Sequence, residues 1–432
     1  MKVVGIDIGT SNIGIVLVDA DSGKAIVSRT EANDSFIPGA EKLQNPERTF
    51  EIVKSALDDI VKEFGPVSAI ALDGQMHGIV YVDGNGTAVS PFYTWEYEGG
   101  KAEAEYLEER VGDANIGFGI VTHYHLQLSG KIPPSAVGFT SMADYVGMRL
   151  AGRRSALVGN DMAASFGCYD LEARDFRRDL LYRAGVNIRY LPEIVDRYSV
   201  IGRTAEGTPV FVALGDNQAS FLGATGYEYE DTLLVNLGTA GQISFPANLI
   251  CGRGENVEFR PLSQYSYLLV GASLCAGRAY SLLEGFYRSI RGSSDEECYG
   301  LMNRDAESFI EENGVDRIWK IRTTFAGRRS DKDERGVIEN IDEGNFTPGA
   351  FAAGILYGIV DELHQYYLEM VKLTGRRARR LVGSGNLMRL NALVQKLTES
   401  IFSMKLELSD SLEEAAYGSA LAAIRAMKEG EV

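Results

Sequence analysis

Residues 3–19 read VVGIDIGTSNIGIVLVD, and residues 232–247 read TLLVNLGTAGQISFPA. Each is an apolar run broken by a Gly-Thr turn, at Gly9-Thr10 and at Gly238-Thr239, so each predicts two strands joined by a tight turn. Outward from the first, AIVSRTEA follows a DADSGK turn and adds a third strand, which makes residues 2–30 an antiparallel meander. Residues 48–64 place apolar side chains at helical spacing, and SAIALDG follows as an apolar strand ending at a glycine. The second half repeats the rhythm: FAAGILYGIVDELHQYYLEMVKL predicts a helix, and RRLVGSGN a strand behind it. The pattern is that of a duplicated α/β lobe, with both Gly-Thr turns facing one interdomain cleft. The boundary falls near Gly226, giving lobes 1–226 and 227–432, and the lack of a Pro-rich or low-complexity linker calls for a short hinge.

Composition agrees with two domains. At 432 residues the chain is too long for one ordinary core, and its 45% hydrophobic and 24% charged residues suit a soluble globular protein. No apolar run approaches the roughly 20 residues a membrane span needs, and the chain opens into a strand rather than a secretory leader, so the cytoplasm is expected. Cys168, Cys251, Cys275 and Cys298 have no CxxC spacing and are expected to be reduced packing residues. A net charge of -17 argues against nucleic acid or an anionic membrane as partner. It leaves ATP open, because backbone N–H groups and a divalent cation can hold phosphates without a basic surface. A small-molecule partner is expected, and a homodimer is compatible with the sequence.

Chemistry concentrates at the ends of the predicted strands. Asp7 sits at such an end, just before the Gly9, Thr10, Ser11, Asn12 turn. A carboxylate there can hold Mg²⁺ directly or through water while the turn approaches phosphate oxygens, although an ordinary capped hairpin would look the same. Gly238-Thr239 gives a second such turn without a carboxylate, and Gly383, Ser384, Gly385, Asn386 a third. Asp216, in Gly-Asp-Asn-Gln, follows the apolar run PVFVALG and can accept a proton from a hydroxyl; capping the helix that QASFLGA begins is the competing role, and the two can coexist. Asp161 is the next carboxylate to consider as that base. Gln75, Met76 and His77, bracketed by glycines, gather the mixed donors and acceptors that polyol recognition requires. His123 and His125 form an HxH pair with no third ligand in view, which favours packing or surface roles over a metal.

Taken together these segments resemble the FGGY family of carbohydrate kinases over almost the whole chain. GIDIGTS looks like the family's first phosphate motif, NLGTAG its second, and LVGSGN with EEAAYGSAL its adenosine motif and connecting helix. ALGDNQAS looks like the stretch bearing the catalytic aspartate, and GQMHG like the sugar loop of the ketose kinases. Tyr93–Trp95, Gly117–Gly119, Asp144–Val146, Asn160–Gly167 and the FAGRRSD stretch at 325–331 extend the ketose-kinase likeness. The resemblance implies two ribonuclease-H-like domains of the actin-like ATPase kind, ATP and Mg²⁺ as cofactors, and phosphorylation of a ketose at its terminal hydroxyl. Sedoheptulose is the first expected substrate, with xylulose or ribulose next. By position it transfers the base to Asp216, sugar contacts to Gln75, Met76, His77, Trp95 and Asn217, metal binding to Asp7, and nucleotide contacts to the three glycine turns. One departure stands out: the Asp and Arg usual after the tryptophan are replaced by Glu96-Tyr97-Glu98-Gly99-Gly100-Lys101, where Glu96 or Glu98 can stand in for the Asp. An actin- or Hsp70-like nucleotide switch would share the lobes and turns, but it needs neither GQMHG nor GDNQ; an inactive kinase homologue would keep both.

Overall fold

A computed structural model describes residues 1–430 apart from 41, 264–265, 293–296, 329–330, 332 and 412, so Arg329 and Ser330 of the FAGRRSD stretch lie outside the described residues. By their contacts they form two units: residues 1–227 with 260–265 and 411–432, and residues 228–259 with 266–410.

In the first unit, β1 (Lys2–Ile8), β2 (Asn12–Asp19) and β3 (Ala25–Ala32) form the expected antiparallel meander. Helix α1 (Pro46–Phe64) starts two residues before its apolar periodicity, because the Asn45 side chain accepts from the Glu47 and Arg48 N–H groups and Pro46 occupies a first-turn position. It returns the chain to β4 (Ala69–Gly74), which lies parallel to β1 with Asp73 opposite Asp7 and Gly74 opposite Ile8. After α2 (Met142–Ala151) and α3 (Asn160–Ser165) come β5 (Val200–Arg203), β6 (Pro209–Phe211) and β7 (Leu214–Gly215). The sheet order is β5-β6-β4-β1-β2-β3, with β7 also on β4. The run PVFVALG, expected as one strand, is therefore two. Val212 donates instead to the Ser199 carbonyl and Ala213 to the Asp144 carboxylate, and the ladder lapses between them. Helix α4 (Asp216–Thr225) follows at once.

The second unit repeats the plan. β8 (Thr232–Leu237), β9 (Gly241–Ala247), β10 (Val257–Ser263, of which 260–263 count with the first unit) and β11 (Ser266–Ser273) precede α5 (Gly277–Arg291), α6 (Pro348–Thr374), β12 (Arg380–Ser384) and β13 (Leu406–Leu408). Their order, β10-β11-β9-β8-β12-β13, again has an antiparallel run, β8-β9-β11, whose first strand lies parallel to a later one, β8 to β12 as β1 to β4, with β10 added outside β11. The duplication read from the two Gly-Thr runs is thus a duplication of topology.

The chain ends in α7 (Glu414–Glu429), which belongs to the first unit, so the expected lobe 227–432 differs from the second unit at its C-terminus. The reason lies in the sheet. β1 and β4 are apolar on both faces. Val4, Ile6, Ile8 and Leu72 pack with Val53 and Ile60 of α1 on one face, while Val3, Ala69 and Ala71 on the other are covered by Ala416, Ala420 and Ile424 of α7. Among the described residues no helix is long and apolar enough to cross a membrane.

Candidate active site

Parallel pairing brings three strand ends to one edge of the first unit's sheet, where α/β folds bind their ligands. Asp7 is the next-to-last residue of β1, Asp73 the next-to-last of β4 beside it, and Asp216 follows β7, whose Leu214 and Gly215 pair with Asp73 and Gly74. Asp73 has no exposed surface; burial, then the charge of Asp7, pushes its carboxyl well up, and both its oxygens are buried without a hydrogen-bond partner. Asp7 is raised to about 7, chiefly by burial and then by Asp216, with Glu413 adding to it and the Asp73 side chain opposing it. Its Oδ1 is buried without a protein partner. Asp216 is the first residue of α4, with Gly215 at the cap position. Burial raises it to about 6 against the charge of Arg260 and the Asn217 N–H. The Oδ1 of Asn217, 8% exposed, has no protein partner either.

The residues expected to meet sugar and those expected to meet phosphate are interlocked. Trp95 Nε1 donates to Thr10 Oγ1 (3.3 Å), which donates to Gln75 Oε1 (3.4 Å). Gln75 Nε2 donates to Gln44 Oε1 (2.9 Å), and Gln44 Nε2 returns to the Thr10 carbonyl (2.9 Å). The Gly9 carbonyl is taken by Asn33 Nδ2 (2.8 Å), while the N–H groups of Thr10 and Ser11 donate to no described residue. His77 adopts φ +73°, its N–H donates to Ser165 Oγ (3.0 Å), and its ring stacks on Phe118 at 4.5 Å. Its Nδ1 lies 2.6 Å from the Ser165 carbonyl, an acceptor only, so Nδ1 carries a proton. Met76 backs the Asp216 turn, since a Cβ on Gly215 would stand 2.8 Å from its sulfur. In the altered loop, Gly117 at φ +84° admits the Trp95 carbonyl where a side chain would collide, and Glu98 is paired with Lys42 at 2.6 Å.

In the second unit the two glycine turns touch. A Cβ on Gly385, at φ +86°, would stand 2.6 Å from Asn236 Oδ1, and the Ser384 hydroxyl is wholly buried without a protein partner. The Gly238 and Thr239 carbonyls accept from Gly277 N–H (3.0 Å) and Arg278 N–H (3.1 Å) at the start of α5, while Asn386 opens a short helix.

Several neighbours escape sequence reasoning. Asp73 hides in an apolar strand, Glu413 is more than four hundred residues from Asp7, and Gln44 and Gly277 carry no motif. The HxH pair is split between other tasks: His123 is buried against Tyr81 OH (2.7 Å) and pushed down to about 4, and His125 faces Glu103 at 3.3 Å. Among the described residues no group of three or more His, Cys, Asp or Glu side chains is arranged to hold a metal on its own. One unpartnered carboxylate oxygen with further acids nearby fits Mg²⁺, which keeps several waters and takes substrate phosphates as ligands.

Comparison with known proteins adds three findings. Family models described as the N-terminal and C-terminal domains of the FGGY family of carbohydrate kinases match residues 2–122 and 263–427. The sedoheptulokinase of Mus musculus is 25% identical, covering 97% of this chain and 96% of that protein, and a xylulose kinase of Staphylococcus epidermidis is 23% identical over 98% and 87%. The crystal structure of gluconate kinase from Lactobacillus acidophilus superposes with a TM-score of 0.84 at 18% identity, covering 99% of this chain and 89% of that one.

Proposed function

The chain belongs to the FGGY family of carbohydrate kinases, phosphotransferases acting on sugar hydroxyls, and we propose that it transfers the γ-phosphate of ATP to the terminal hydroxyl of a ketose, sedoheptulose before xylulose or ribulose. The observation that carries this reading is the half-buried Asp216 at a strand end, raised to about 6 and followed by Asn217 with an unpartnered buried acceptor. Asp216 takes the hydroxyl proton as the new O–P bond forms and ADP leaves with the electrons of the broken bond. Asn217, His77 through Nε2, Gln75, Met76 and Trp95 bind and orient the sugar. Gly9, Thr10, Ser11 and Asn12, with Gly238, Thr239 and Gly383–Asn386 on the second unit, are assigned to the nucleotide. Mg²⁺, when bound with ATP, supplies charge neutralisation at the phosphates; Asp7 would hold it, with Glu413 in support.

The test is ADP release with a panel of sugars at fixed Mg-ATP. Sedoheptulose should give the highest kcat/KM, xylulose and ribulose less, and glycerol little; glycerol or an aldohexose exceeding every ketose would overturn the substrate class.

A further inference from the structure

Asp161 looks from sequence like a second candidate base, but its surroundings give it another task. It is 3% exposed, and both oxygens serve backbone donors: Oδ1 accepts from Met162 N–H and Oδ2 from Gly215 N–H, each at 3.0 Å. Gly215 is the residue before Asp216. Two residues earlier, Ala213 N–H donates to the equally buried Asp144 Oδ1 at 3.0 Å. Ala213 lies where the ladder lapses and Gly215 ends the short β7, so the two N–H groups flank the last step of the chain before Asp216. Two buried carboxylates thus take these N–H groups in place of a neighbouring strand, and so set the direction in which the chain leaves the sheet towards Asp216.

The second observation is Arg197. It is 6% exposed, and its Nε, Nη1 and Nη2 have no protein acceptor; burial raises the Asp161 carboxyl, and the charge of Arg197 opposes that rise. A buried guanidinium without acceptors is costly unless water supplies them. Between Arg197 and Asp161 lies a cavity of about 10 Å³, bounded also by Asn160, Pro261, Leu262 and Ser263. That is the room one water needs, and the lining gives it polar partners. The carboxylate oxygens of Asp161 on one side make water a better occupant than an anion.

We propose that Asp161 is a positioning residue for Asp216, acting through the Gly215 N–H, and that Arg197 is its charge partner across a single buried water. The proposal rests on the reading of Asp216 as the base. An acid is needed here, rather than any acceptor, because Arg197 must be neutralised in place: removing one member of a buried charge pair strands the other, whereas neutralising both is tolerated.

The test uses the full-length protein with Asp161→Ala, Asp161→Asn, Arg197→Gln and the double variant Asp161→Asn/Arg197→Gln, and measures kcat, both KM values and the thermal midpoint. Asp161→Ala, which loses the acceptor for Gly215, should lower kcat on the order of 10²-fold with both KM values within about twofold, as a small misplacement of the reacting group does. Each single neutralisation should lower kcat and the midpoint, and the double variant should recover both beyond the sum of the two single effects. Should Asp161→Ala fail to fold, the double variant decides. Wild-type turnover in Asp161→Ala, or additive effects in the double variant, would overturn the proposal. Asp216→Asn in the same assay separates the failures: wild-type turnover there removes the base and this proposal with it, while an inactive Asp216→Asn beside an active Asp161→Ala removes this proposal alone.

Discussion

Asp216 carries two consequences that can be measured apart. A positioned carboxylate accepting a hydroxyl proton contributes roughly 10²–10⁴-fold, so Asp216→Asn should lower kcat by about that factor with the KM for ATP nearly unchanged. Because burial raises this group above its unfolded value, its charged form opposes folding above that value; the substitution should leave the thermal midpoint unchanged or higher. A fall in the midpoint without loss of turnover would make it a structural residue. The base must be ionised, so kcat/KM should fall as pH drops through about 6, and Arg260→Met, which removes the opposing charge, should move that acidic limb to higher pH. Asp7→Ala should raise the magnesium concentration needed for half-maximal rate; unchanged dependence would leave Asp7 a turn residue. Asp7 and Asp216 are legible in the sequence because a polar residue at the end of an apolar strand is a local signal. Asp73 has the same local signal, but its meaning depends on register with Asp7 and on burial by a helix from the far end of the chain. Asp161 can be seen as a carboxylate but not as one bonded to the Gly215 N–H, since that donor is 54 residues away.

At the scale of elements, the helix bearing Asp216 is fixed by backbone approach. A Cβ on Gly223 of α4 would collide with the Glu414 carbonyl, one on Gly418 of α7 with the Ala219 carbonyl, and one on Gly5 of β1 with the Ala416 carbonyl. Inserting side-chain volume at such a crossing costs about 1–3 kcal/mol or more, so Gly418→Val should lower the thermal midpoint and, by displacing α4, reduce kcat. Normal kcat in a destabilised Gly418→Val would separate α7 from the site. The strands, α1 and α6 are readable because their apolar periods are local. The break in PVFVALG is not, because a carboxylate of α2, rather than anything in that run, takes the Ala213 N–H. Nor does the sequence indicate where α7 packs: its alanines and Ile424 have the period of a helix but do not say which sheet they will cover.

For the molecule as a whole, duplication is the feature that sequence and topology share, from the paired Gly-Thr runs to the matching strand orders. The lobes are not equal in how the chain builds them. The first unit draws on three separated stretches, and the last of these supplies one face of its core. A chain ending at residue 410 should therefore lose the first unit's cooperative unfolding and all activity; a folded, active truncation would show α7 to be dispensable.

That discontinuity also bears on synthesis. A ribosome makes the N-terminal lobe first, yet Val3, Ala69 and Ala71 stay uncovered until Ala416, Ala420 and Ile424 have emerged. At about 5–20 residues per second, the stretch from Tyr227 to Glu414 takes on the order of ten to forty seconds, a window in which a nascent sheet with one bare apolar face is open to holding factors and to mispairing. The second unit, which needs no residue beyond 410, has its whole chain available before the first unit does, although the first begins earlier.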